Sequence, residues 1–428
     1  MRLFTRILGN SLWLFGARVG AQVCAVIVTS LLARRLSVEG FGEYSFIAAA
    51  ILIGNVLTTF GSDMYLIREI AAGNELSRIF PALILQLILA CLFIGVVAWI
   101  APYLPNQTPE STAALRLYSL ALIPLAFFTV FTSALRGAQK MRGYSWLNLA
   151  FAVLQVAVIS LFFQRGEGVV TLAYLLLGIQ TAGAVLGGIL CASNFPDFWK
   201  GWHVSMDRVR ELFVACLPIA LIAILGIVYQ KSSLTMLTLI GSASMTAWFS
   251  TAARVIEAAR LGHVAALTAL YPAMANAREN KSSPGVFNFS WALLFVIAGG
   301  TVVLLFFLAE PIVRVFFGLA YQPSVPVLRI LSFTLLPYTV NSFLSLVFLV
   351  EHRERALMRV LFVSLMTLLL LNAGLIPRAG SLGASWSFLA AETLQACLLL
   401  FEWKINRLRA SQAVRASRGV ANELSHPS

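Results

Sequence analysis

The sequence predicts an all-α polytopic membrane protein of about 12 transmembrane helices, arranged as two six-helix bundles around a central cavity. Two observations lead to this fold class: the composition and the regular recurrence of long apolar runs. Of the 428 residues, 59% are hydrophobic and only 11% are charged, and the mean hydropathy is +0.86. A soluble protein has roughly 25% charged residues and could not bury so much apolar surface. The composition therefore disfavours a soluble enzyme, a nucleic-acid-binding protein and a disordered scaffold.

The apolar runs have the length that a helix needs to cross a bilayer, about 20 residues. In chain order, the predicted spans are 11–33, 44–62, 80–101, 113–135, 147–163, 169–192, 212–234, 242–270, 288–309, 325–350, 358–376 and 383–403. Span 147–163 is short and span 242–270 carries charged residues, so these two fit the pattern least well.

The Lys and Arg residues predict the orientation of the spans, because cytoplasmic loops of membrane proteins collect positive charge. With the N-terminus inside, the inner segments hold 20 of the 31 Lys and Arg residues and the outer segments hold 5. Both termini are therefore expected in the cytoplasm, and the net charge of +13 needs no nucleic-acid partner to explain it. Six cations remain within or at the edges of the spans: Arg18, Arg116, Lys231, Arg254, Arg260 and Arg329.

Cations inside a membrane are candidates for a functional site. A charged side chain near the bilayer centre costs at least ~2.5 kcal/mol, so it normally faces protein or water. We interpret Arg18, Lys231 and Arg254 as the lining of a cavity for an anionic substrate. The alternative is interhelical pairing, such as that of Arg254 with Glu257 one helical turn away.

Two of the remaining cations, Arg116 and Arg329, lie close to the outer ends of their spans. For these two residues we keep two interpretations: they bind substrate, or their side chains extend to the membrane surface. Arg260 lies toward the inner part of its span and is expected to reach cytoplasmic water. Polar residues that would line the cavity or couple transport to an ion are Gln22, Asn55, Glu257 and Glu392.

The two halves of the chain share a faint repeat. Residues 37–49 align with residues 241–253, and each copy joins the first span of its half to the second. An even number of spans per half makes the halves parallel repeats, as in many transporters. We therefore predict an N-terminal lobe at 1–203, a C-terminal lobe at 204–404 and a basic cytoplasmic tail at 405–428 that lies near anionic lipid.

No motif of an enzyme is present. The five cysteines lie in or at the ends of apolar runs, without CxxC or zinc-ligand spacing. The sequence has no Walker A motif, no HExxH motif and no nucleophile elbow. We expect no enzymatic activity, no catalytic residue, no metal and no cofactor.

The strongest motif follows the first span. Leu32-Ala-Arg-Arg-Leu-Ser-Val-Glu-Gly-Phe-Gly-Glu-Tyr-Ser resembles the L-A-R-x-L-[GS]-x-x-G-F-G-x-Y-[SG] signature of polysaccharide exporters. Gly61-Ser-Asp-Met-Tyr-Leu-Ile-Arg-Glu resembles their G-x-x-x-x-[ILV]-[IVT]-R-E element, and Ala252-Ala-Arg-Val-Ile-Glu followed by Leu270-Tyr-Pro is similar to a pattern of their second half. Over roughly residues 5–405, the chain thus resembles the O-antigen or polysaccharide flippases of the Wzx type. These belong to the superfamily that also includes multidrug extruders and the lipid II flippase.

The resemblance implies a flippase of the bacterial inner membrane that acts in polysaccharide biosynthesis, such as that of the O-antigen of lipopolysaccharide. It would move an undecaprenyl-pyrophosphate-linked oligosaccharide repeat unit from the cytoplasmic to the periplasmic leaflet by alternating access. The sugar would occupy a hydrated cavity, and the lipid tail would stay in the bilayer through a lateral opening. Arginine suits the pyrophosphate as a permanently charged donor fork. Further partners would be membrane lipid, a coupling ion (H+ or Na+) and other polysaccharide assembly proteins.

The segment Gly40-Phe41-Gly42 of the first motif is expected in a tight outer turn between the first two spans. Glycine permits backbone angles there that other residues avoid. We interpret the segment as structural, without a ligand contact.

Two alternatives to a flippase are kept. An ion-coupled, multidrug-type antiporter of the same fold would need acidic groups in its cavity, and the first half of the chain has none deep inside a span. A polysaccharide polymerase is the enzyme alternative, and it would need a large extracytoplasmic loop. The longest predicted outer loops, around 102–112 and 310–324, are short.

Overall fold

The computed structural model describes residues 2–73, 79–195, 206–279, 284–351 and 353–424. Within these ranges the chain is helical, with no β-strand. The helices are α1 (Arg2–Arg35), α2 (Val38–Thr59), α3 (Ser62–Ala71), α4 (Ile79–Ile100), α5 (Pro109–Ser119), α6 (Leu122–Gly137), α7 (Met141–Phe162), α8 (Val169–Asn194), α9 (Met206–Ile240), α10 (Ala243–Glu279), α11 (Pro284–Phe316), α12 (Ser324–Ser332), α13 (Leu335–Val350) and α14 (Glu354–Leu424). Short 3-10 helices at Ala101–Tyr103 and Leu319–Tyr321 precede α5 and α12.

The helices account for the predicted spans. Among the described residues, nine helical segments are long and apolar enough to cross a membrane, and the pair α12–α13, bent by 46°, makes a tenth. The last two predicted spans both lie in α14, where they meet at the non-helical Gly380 (φ 54°, ψ −129°). α10 coincides with the charged span 242–270 and is not among the ten. The predicted fold class, an all-α polytopic membrane protein, is confirmed.

Several span boundaries were wrong. Span 147–163, which the sequence makes short, is α7, a helix of 22 residues that starts at Met141. Spans 113–135 and 325–350 are not single straight helices, because each is divided between two helices, α5–α6 and α12–α13. At both breaks the backbone N–H groups bond three residues back, which tightens the chain and redirects the helix.

The two broken helices form a second internal repeat that the sequence analysis missed. Residues 111–124 and 324–337 align without gaps, and six of the 14 positions are identical. The shared residues include Arg116 with Arg329, and a serine three residues later in each copy. Each serine hydroxyl donates to the carbonyl oxygen of its arginine, over 2.6 Å from Ser119 and 2.7 Å from Ser332. The halves of the chain are therefore related by structure as well as by span number.

The two bundles meet where α2 packs against α9 and α10. α2 and α10 begin in the same way: the hydroxyl of Ser37 accepts from the N–H of Gly40 at 3.0 Å, and that of Ser242 accepts from the N–H of Met245 at 3.2 Å. Such side-chain caps satisfy donors that a helix start leaves free. Two apolar cores, one of them large, contain residues of both bundles, and a third, smaller core lies within the second bundle. The predicted lobe boundary near 203 lies outside the described residues.

The Gly40-Phe41-Gly42 segment differs from its prediction. It forms the first turn of α2 rather than the preceding turn, and neither glycine has a positive φ. Gly42 is required for a different reason, because a Cβ there would collide with the backbone carbonyl of Ala243 at the start of α10. The glycine lets the two helices, and so the two bundles, approach backbone to backbone.

Candidate functional site

The central feature of the second bundle is a cluster of three charged side chains. Lys231 Nζ on α9 lies 2.7 Å from Glu257 Oε1 on α10, and Arg254 Nη1 lies 3.4 Å from Glu257 Oε2. The carboxylate thus offers one oxygen to each cation. Two of the predicted cavity cations, Lys231 and Arg254, are therefore paired with one carboxylate. The contact of Arg254 with Glu257 is the alternative to substrate binding that the sequence left open.

The cluster lies deep in the membrane-spanning part of the protein. Arg254 is 11 residues from the start of α10, or roughly 17 Å at about 1.5 Å per residue. Lys231 is nine residues from the end of α9, which is roughly 14 Å. With the helix ends at the membrane surface, as in the predicted spans, both distances reach roughly the middle of a hydrocarbon layer about 30 Å thick. Charges at this depth need protein partners or water, and both cations of the cluster have a carboxylate partner.

Three cavities surround Glu257. The smallest, about 30 Å³, lies against α2 and is lined by Ser45, Ala48, Lys231, Arg254 and Glu257 among others. The second, about 230 Å³, lies within the second bundle and reaches Arg260, Tyr338 and Phe388. The largest, about 560 Å³, lies between α1, α10 and α11 and is mostly apolar. Glu257 lines all three cavities and Arg254 lines two of them, so each cavity borders the charged cluster.

A second ion pair lies one turn further along α10. Arg260 Nη2 is 3.6 Å from Glu392 Oε1 on α14, and the two side chains are 12% and 5% exposed. Asn341 on α13 donates to the other oxygen of Glu392 over 2.7 Å. The guanidinium of Arg260 also lies over the ring of Tyr338, 4.3 Å from its centre, which is a favourable cation–π position. The expectation that Arg260 reaches cytoplasmic water was wrong, because a buried acid and an aromatic ring enclose it.

This second cluster is incompletely hydrogen-bonded within the described residues. Nε and Nη2 of Arg260, Oδ1 of Asn341, Oε1 of Gln395 and the hydroxyl of Tyr229 are buried there without a hydrogen-bond partner. Leaving a buried polar atom unpaired costs about 1–3 kcal/mol. The second cluster is therefore a place where water, an ion or a moving side chain would be stabilised.

The candidate residues of the first half lie around the largest cavity or away from it. Gln22 on α1 lines that cavity, opposite Arg254 and Glu257. Arg18 lies one turn from Gln22 on the same face of α1 and is exposed, but it lines none of the three cavities. Asn55 is half-buried near the end of α2, and its carbonyl accepts from two threonine hydroxyls of the same helix. The structure thus brings Gln22 to the cluster and leaves Arg18 and Asn55 outside it.

Arg116 and Arg329 are engaged elsewhere. Arg116 Nη2 donates to the carbonyl of Ala98 near the end of α4 over 2.7 Å. Arg329 Nε donates to the carbonyl of Phe306 on α11 over 3.3 Å, and its guanidinium lies over the ring of that residue. Neither lines any of the three cavities. Each cation of the broken-helix repeat therefore binds the helix that precedes it in the chain.

One end of the central region is sealed by contacts between α1 and α11. Ser30 and Arg34 donate to the last carbonyls of α11, those of Phe316 and Val315. In return, the phenol of Tyr321 donates to the carbonyl of Ala33 over 3.1 Å. Burial raises the pKa of Tyr321, so the phenol keeps its proton for this bond. Side chains of each bundle thus satisfy carbonyls that the other bundle's helix end leaves free.

Basic groups outnumber acidic groups at the site. Lys231, Arg254 and Arg260 face two carboxylates, Glu257 and Glu392, so the two clusters together carry one excess positive charge when all five groups are ionised. Within the described residues, no group of three His, Cys, Asp or Glu side chains is placed to hold a metal ion. The arrangement can hold an anion at mid-depth beside an apolar cavity.

Comparison with known proteins gives a family and a fold. A family model described as polysaccharide biosynthesis protein matches residues 7–278. No curated protein matches the chain. Among solved structures, the chain is similar to the lipid II flippase MurJ in an inward closed conformation, with a TM-score of 0.75, 12% identity and coverage of 92% of this chain and 87% of that one.

Two further structures share the fold. An inward-facing multidrug resistance MATE family transporter of the MOP superfamily has a TM-score of 0.72 and 15% identity, covering 92% of this chain and 96% of its own. A MOP superfamily transporter from Pyrococcus furiosus has a TM-score of 0.63 and 14% identity, with coverage of 95% and 96%. At these identities the structures establish the fold only, which is the helical two-lobe fold of the superfamily.

Proposed function

Because the chain belongs to the polysaccharide biosynthesis protein family, we propose that it is a flippase for a lipid-linked oligosaccharide. Its substrate is an undecaprenyl-pyrophosphate-linked repeat unit, which it moves from the cytoplasmic to the periplasmic leaflet of the inner membrane by alternating access. The product serves the assembly of a surface polysaccharide such as O-antigen. The observation that carries the proposal is the cluster of Lys231, Arg254 and Glu257 at mid-depth, next to a large apolar cavity.

The cations suit the pyrophosphate. A pyrophosphate carries several negative charges at neutral pH, and burying it in the membrane requires compensating charge. Arg254 presents a planar donor fork and Lys231 a point charge, both effective on phosphate oxygens. Arg18 lies on the same face of α1 as Gln22, toward the predicted cytoplasmic end, where an entering anionic head group would pass it. Arg116 and Arg329 are not part of the proposed substrate site, because both are engaged with backbone carbonyls.

The largest cavity suits the remainder of the substrate. Its volume of about 560 Å³ is in the range of small-molecule binding sites. It is lined on one side by Gln22, Arg254 and Glu257, and on the other by apolar residues of α11 such as Leu304 and Phe316. Leu304 and Phe316 are also exposed, so the cavity continues to the protein surface. We propose that the phosphate and first sugar occupy the polar side, while the isoprenoid tail leaves over the apolar side into the bilayer.

The same fold also serves multidrug transport, so the ion-coupled antiporter is kept as the second candidate. Glu257 and Glu392 are the deep acidic residues it would use. The charge balance favours the flippase, because both carboxylates are already paired with basic side chains and the two clusters keep one excess positive charge. Coupling of transport to H+ or Na+ through either carboxylate is compatible with both candidates.

Substitution of the cluster tests the proposal. In cells that depend on this protein for surface polysaccharide, Lys231→Ala and Arg254→Ala are expected to abolish the polysaccharide and to accumulate lipid-linked oligosaccharide on the cytoplasmic leaflet. Arg18→Ala is expected to lower the amount. Removing a charge-assisted hydrogen bond costs about 1.5–3 kcal/mol, which corresponds to roughly 10–100-fold in affinity.

The matched control is Arg355→Ala, which removes an exposed positive charge near the start of α14, outside all three cavities. It should leave the polysaccharide at the wild-type level. Normal polysaccharide in the Lys231 and Arg254 variants, at equal amounts of protein in the membrane, would refute the proposed site.

A further inference from the structure

The two cations of the proposed anion site are occupied by a residue of the protein itself. Glu257 Oε1 lies 2.7 Å from Lys231 Nζ and Glu257 Oε2 lies 3.4 Å from Arg254 Nη1. A carboxylate that gives one oxygen to each of two cations has the same bridging geometry as two oxygens of a phosphate. An incoming phosphate must therefore compete with this carboxylate.

The carboxylate is accessible to a competitor. The side chains of Glu257 and Arg254 are 38% and 39% exposed, although both lie near mid-depth. Both also line the largest cavity, where we place the substrate. A phosphate in that cavity can reach the Glu257–Arg254 contact without any rearrangement of the helices. Lys231 is less exposed and borders the small cavity against α2.

Arg260 is placed to pair with the carboxylate of Glu257 once a ligand displaces it. Arg260 lies three residues further along α10, so its side chain is a neighbour of Glu257 on the same helix. Both side chains line the cavity of about 230 Å³. Nε and Nη2 of Arg260 are buried without a hydrogen-bond partner in the part of the chain that the structure describes. Its ion pair with Glu392, at 3.6 Å, is longer than a hydrogen bond.

We propose that Glu257 is a built-in competitor for the anion site. In the empty protein it bridges Lys231 and Arg254, and the substrate's pyrophosphate displaces it toward Arg260. This inference rests on the proposed function and adds to it a residue of the protein that competes with the substrate. The carboxylate offsets one of the two positive charges while the site is empty, and a ligand must bind the cations more strongly than the carboxylate does.

The competition of Glu257 raises the concentration at which any anion occupies the site. A ligand that binds only when Glu257 has left the cations has its affinity reduced by the fraction of molecules in which they are free. A diphosphate offers more negative charge and more acceptor oxygens than a monophosphate, so it displaces the carboxylate more effectively. Because Glu257 lowers both affinities by the same factor, a lipid monophosphate, which binds the free cations more weakly, needs a higher concentration than a lipid diphosphate with the same tail to occupy the site.

The experiment compares binding of two probes that differ by one phosphate. The full-length protein in lipid nanodiscs is titrated with radiolabelled geranylgeranyl diphosphate and geranylgeranyl monophosphate, which share one tail. The variants are Glu257→Gln, Glu257→Asp, the double variant Lys231→Ala/Arg254→Ala, and Glu43→Gln as a control. Glu43 is a carboxylate near the start of α2 that accepts from Thr108, so its substitution removes the same charge away from the cluster.

The expected result is tighter binding in Glu257→Gln. If Glu257 holds the cations in nine molecules out of ten, the affinity of this variant for the diphosphate rises about tenfold. Its affinity for the monophosphate rises by the same factor, because the competitor occupies the cations in the same fraction of molecules for both probes. Glu257→Asp keeps the charge on a shorter side chain that cannot bridge both cations, so it should fall between wild type and Glu257→Gln. It also keeps the test available if Glu257→Gln does not fold. Glu43→Gln should bind both probes like wild type.

The outcomes separate this inference from the proposed function. Unchanged or weaker diphosphate binding in both folded Glu257 variants, with binding lost in the Lys231/Arg254 double variant, overturns the competitor and leaves the anion site intact. Full diphosphate binding by the double variant overturns the anion site, and the competitor with it. Tighter binding in Glu43→Gln as well as in Glu257→Gln would show a general effect of charge and would also overturn the competitor.

Discussion

The carboxylates of the two charged clusters are both paired with basic side chains. Glu257 bridges two basic residues and Glu392 contacts Arg260 and Asn341. Removing one partner of the buried Arg260–Glu392 pair leaves an uncompensated charge, which costs about 3–5 kcal/mol. The pairs therefore constrain how α9, α10 and α14 pack, and any motion that separates them must supply new partners.

Arg116 and Arg329 lead to a prediction at the scale of single residues. Each donates to a carbonyl of the preceding helix, Ala98 for Arg116 and Phe306 for Arg329. We expect Arg116→Gln and Arg329→Gln each to lower the free energy of unfolding by about 1–3 kcal/mol, with little change in transport per folded molecule. Thermal unfolding of the purified variants and polysaccharide at matched protein levels measure the two effects.

Arg165→Gln, in the exposed turn between α7 and α8, is the matched control and should unfold like wild type. If Arg116→Gln or Arg329→Gln keeps full stability but loses polysaccharide, the substituted arginine belongs to the substrate site after all.

At the scale of elements, the start of α2 determines how closely the bundles meet. A Cβ at position 42 would collide with the carbonyl of Ala243, so Gly42→Ala should force α2 and α10 apart. We expect a loss of about 1–3 kcal/mol, typical of overpacking, seen as a lower unfolding temperature. Gly226→Ala on α9 is the control, because a Cβ there meets nothing within 4 Å. It should be neutral or stabilising, since alanine favours helix. Equal stability of the two variants would contradict the close approach.

The broken helices show why an element can be missed. The hydropathy of residues 113–135 and 325–350 is that of one span each, because hydropathy averages over a break of two residues. The repeat of Arg116-x-x-Ser119 and Arg329-x-x-Ser332, each followed by a proline, was visible in the sequence and would have related α5–α6 to α12–α13. This repeat appears only when the two halves of the chain are aligned at a different offset from the one that aligns residues 37–49 with residues 241–253.

At the scale of the whole molecule, the orientation in the membrane is a prediction. It assigns the turn between α7 and α8 to the periplasm and the start of α14 to the cytoplasm. In a variant without its five cysteines, Cys placed at Arg165 should react with a membrane-impermeant maleimide in intact spheroplasts. Cys placed at Arg355 should react only after lysis. The reverse pattern would overturn the orientation.

Membership of the family agrees with the motif-based resemblance, and the fold agrees with the superfamily that it named. The reason is that the motif around Gly40 and Gly42 marks the contact on which the two-bundle arrangement depends. The lobe boundary, the coupling ion and the roles of the site residues stay predictions, because they depend on features that neither the motif nor the fold specifies.

The sequence by itself determined that the chain is a helical membrane protein, roughly where it crosses the membrane and which family it resembles. These properties follow from hydropathy, charge and motifs, which are local along the chain. Only the tertiary structure decided which charges are partners. Lys231 and Glu257 are 26 residues apart, and Arg260 and Glu392 come from different helices, so their contact depends on how distant helices pack. For the same reason the sequence placed Arg260 in cytoplasmic water, whereas packing encloses it beside Glu392, Asn341 and Tyr338.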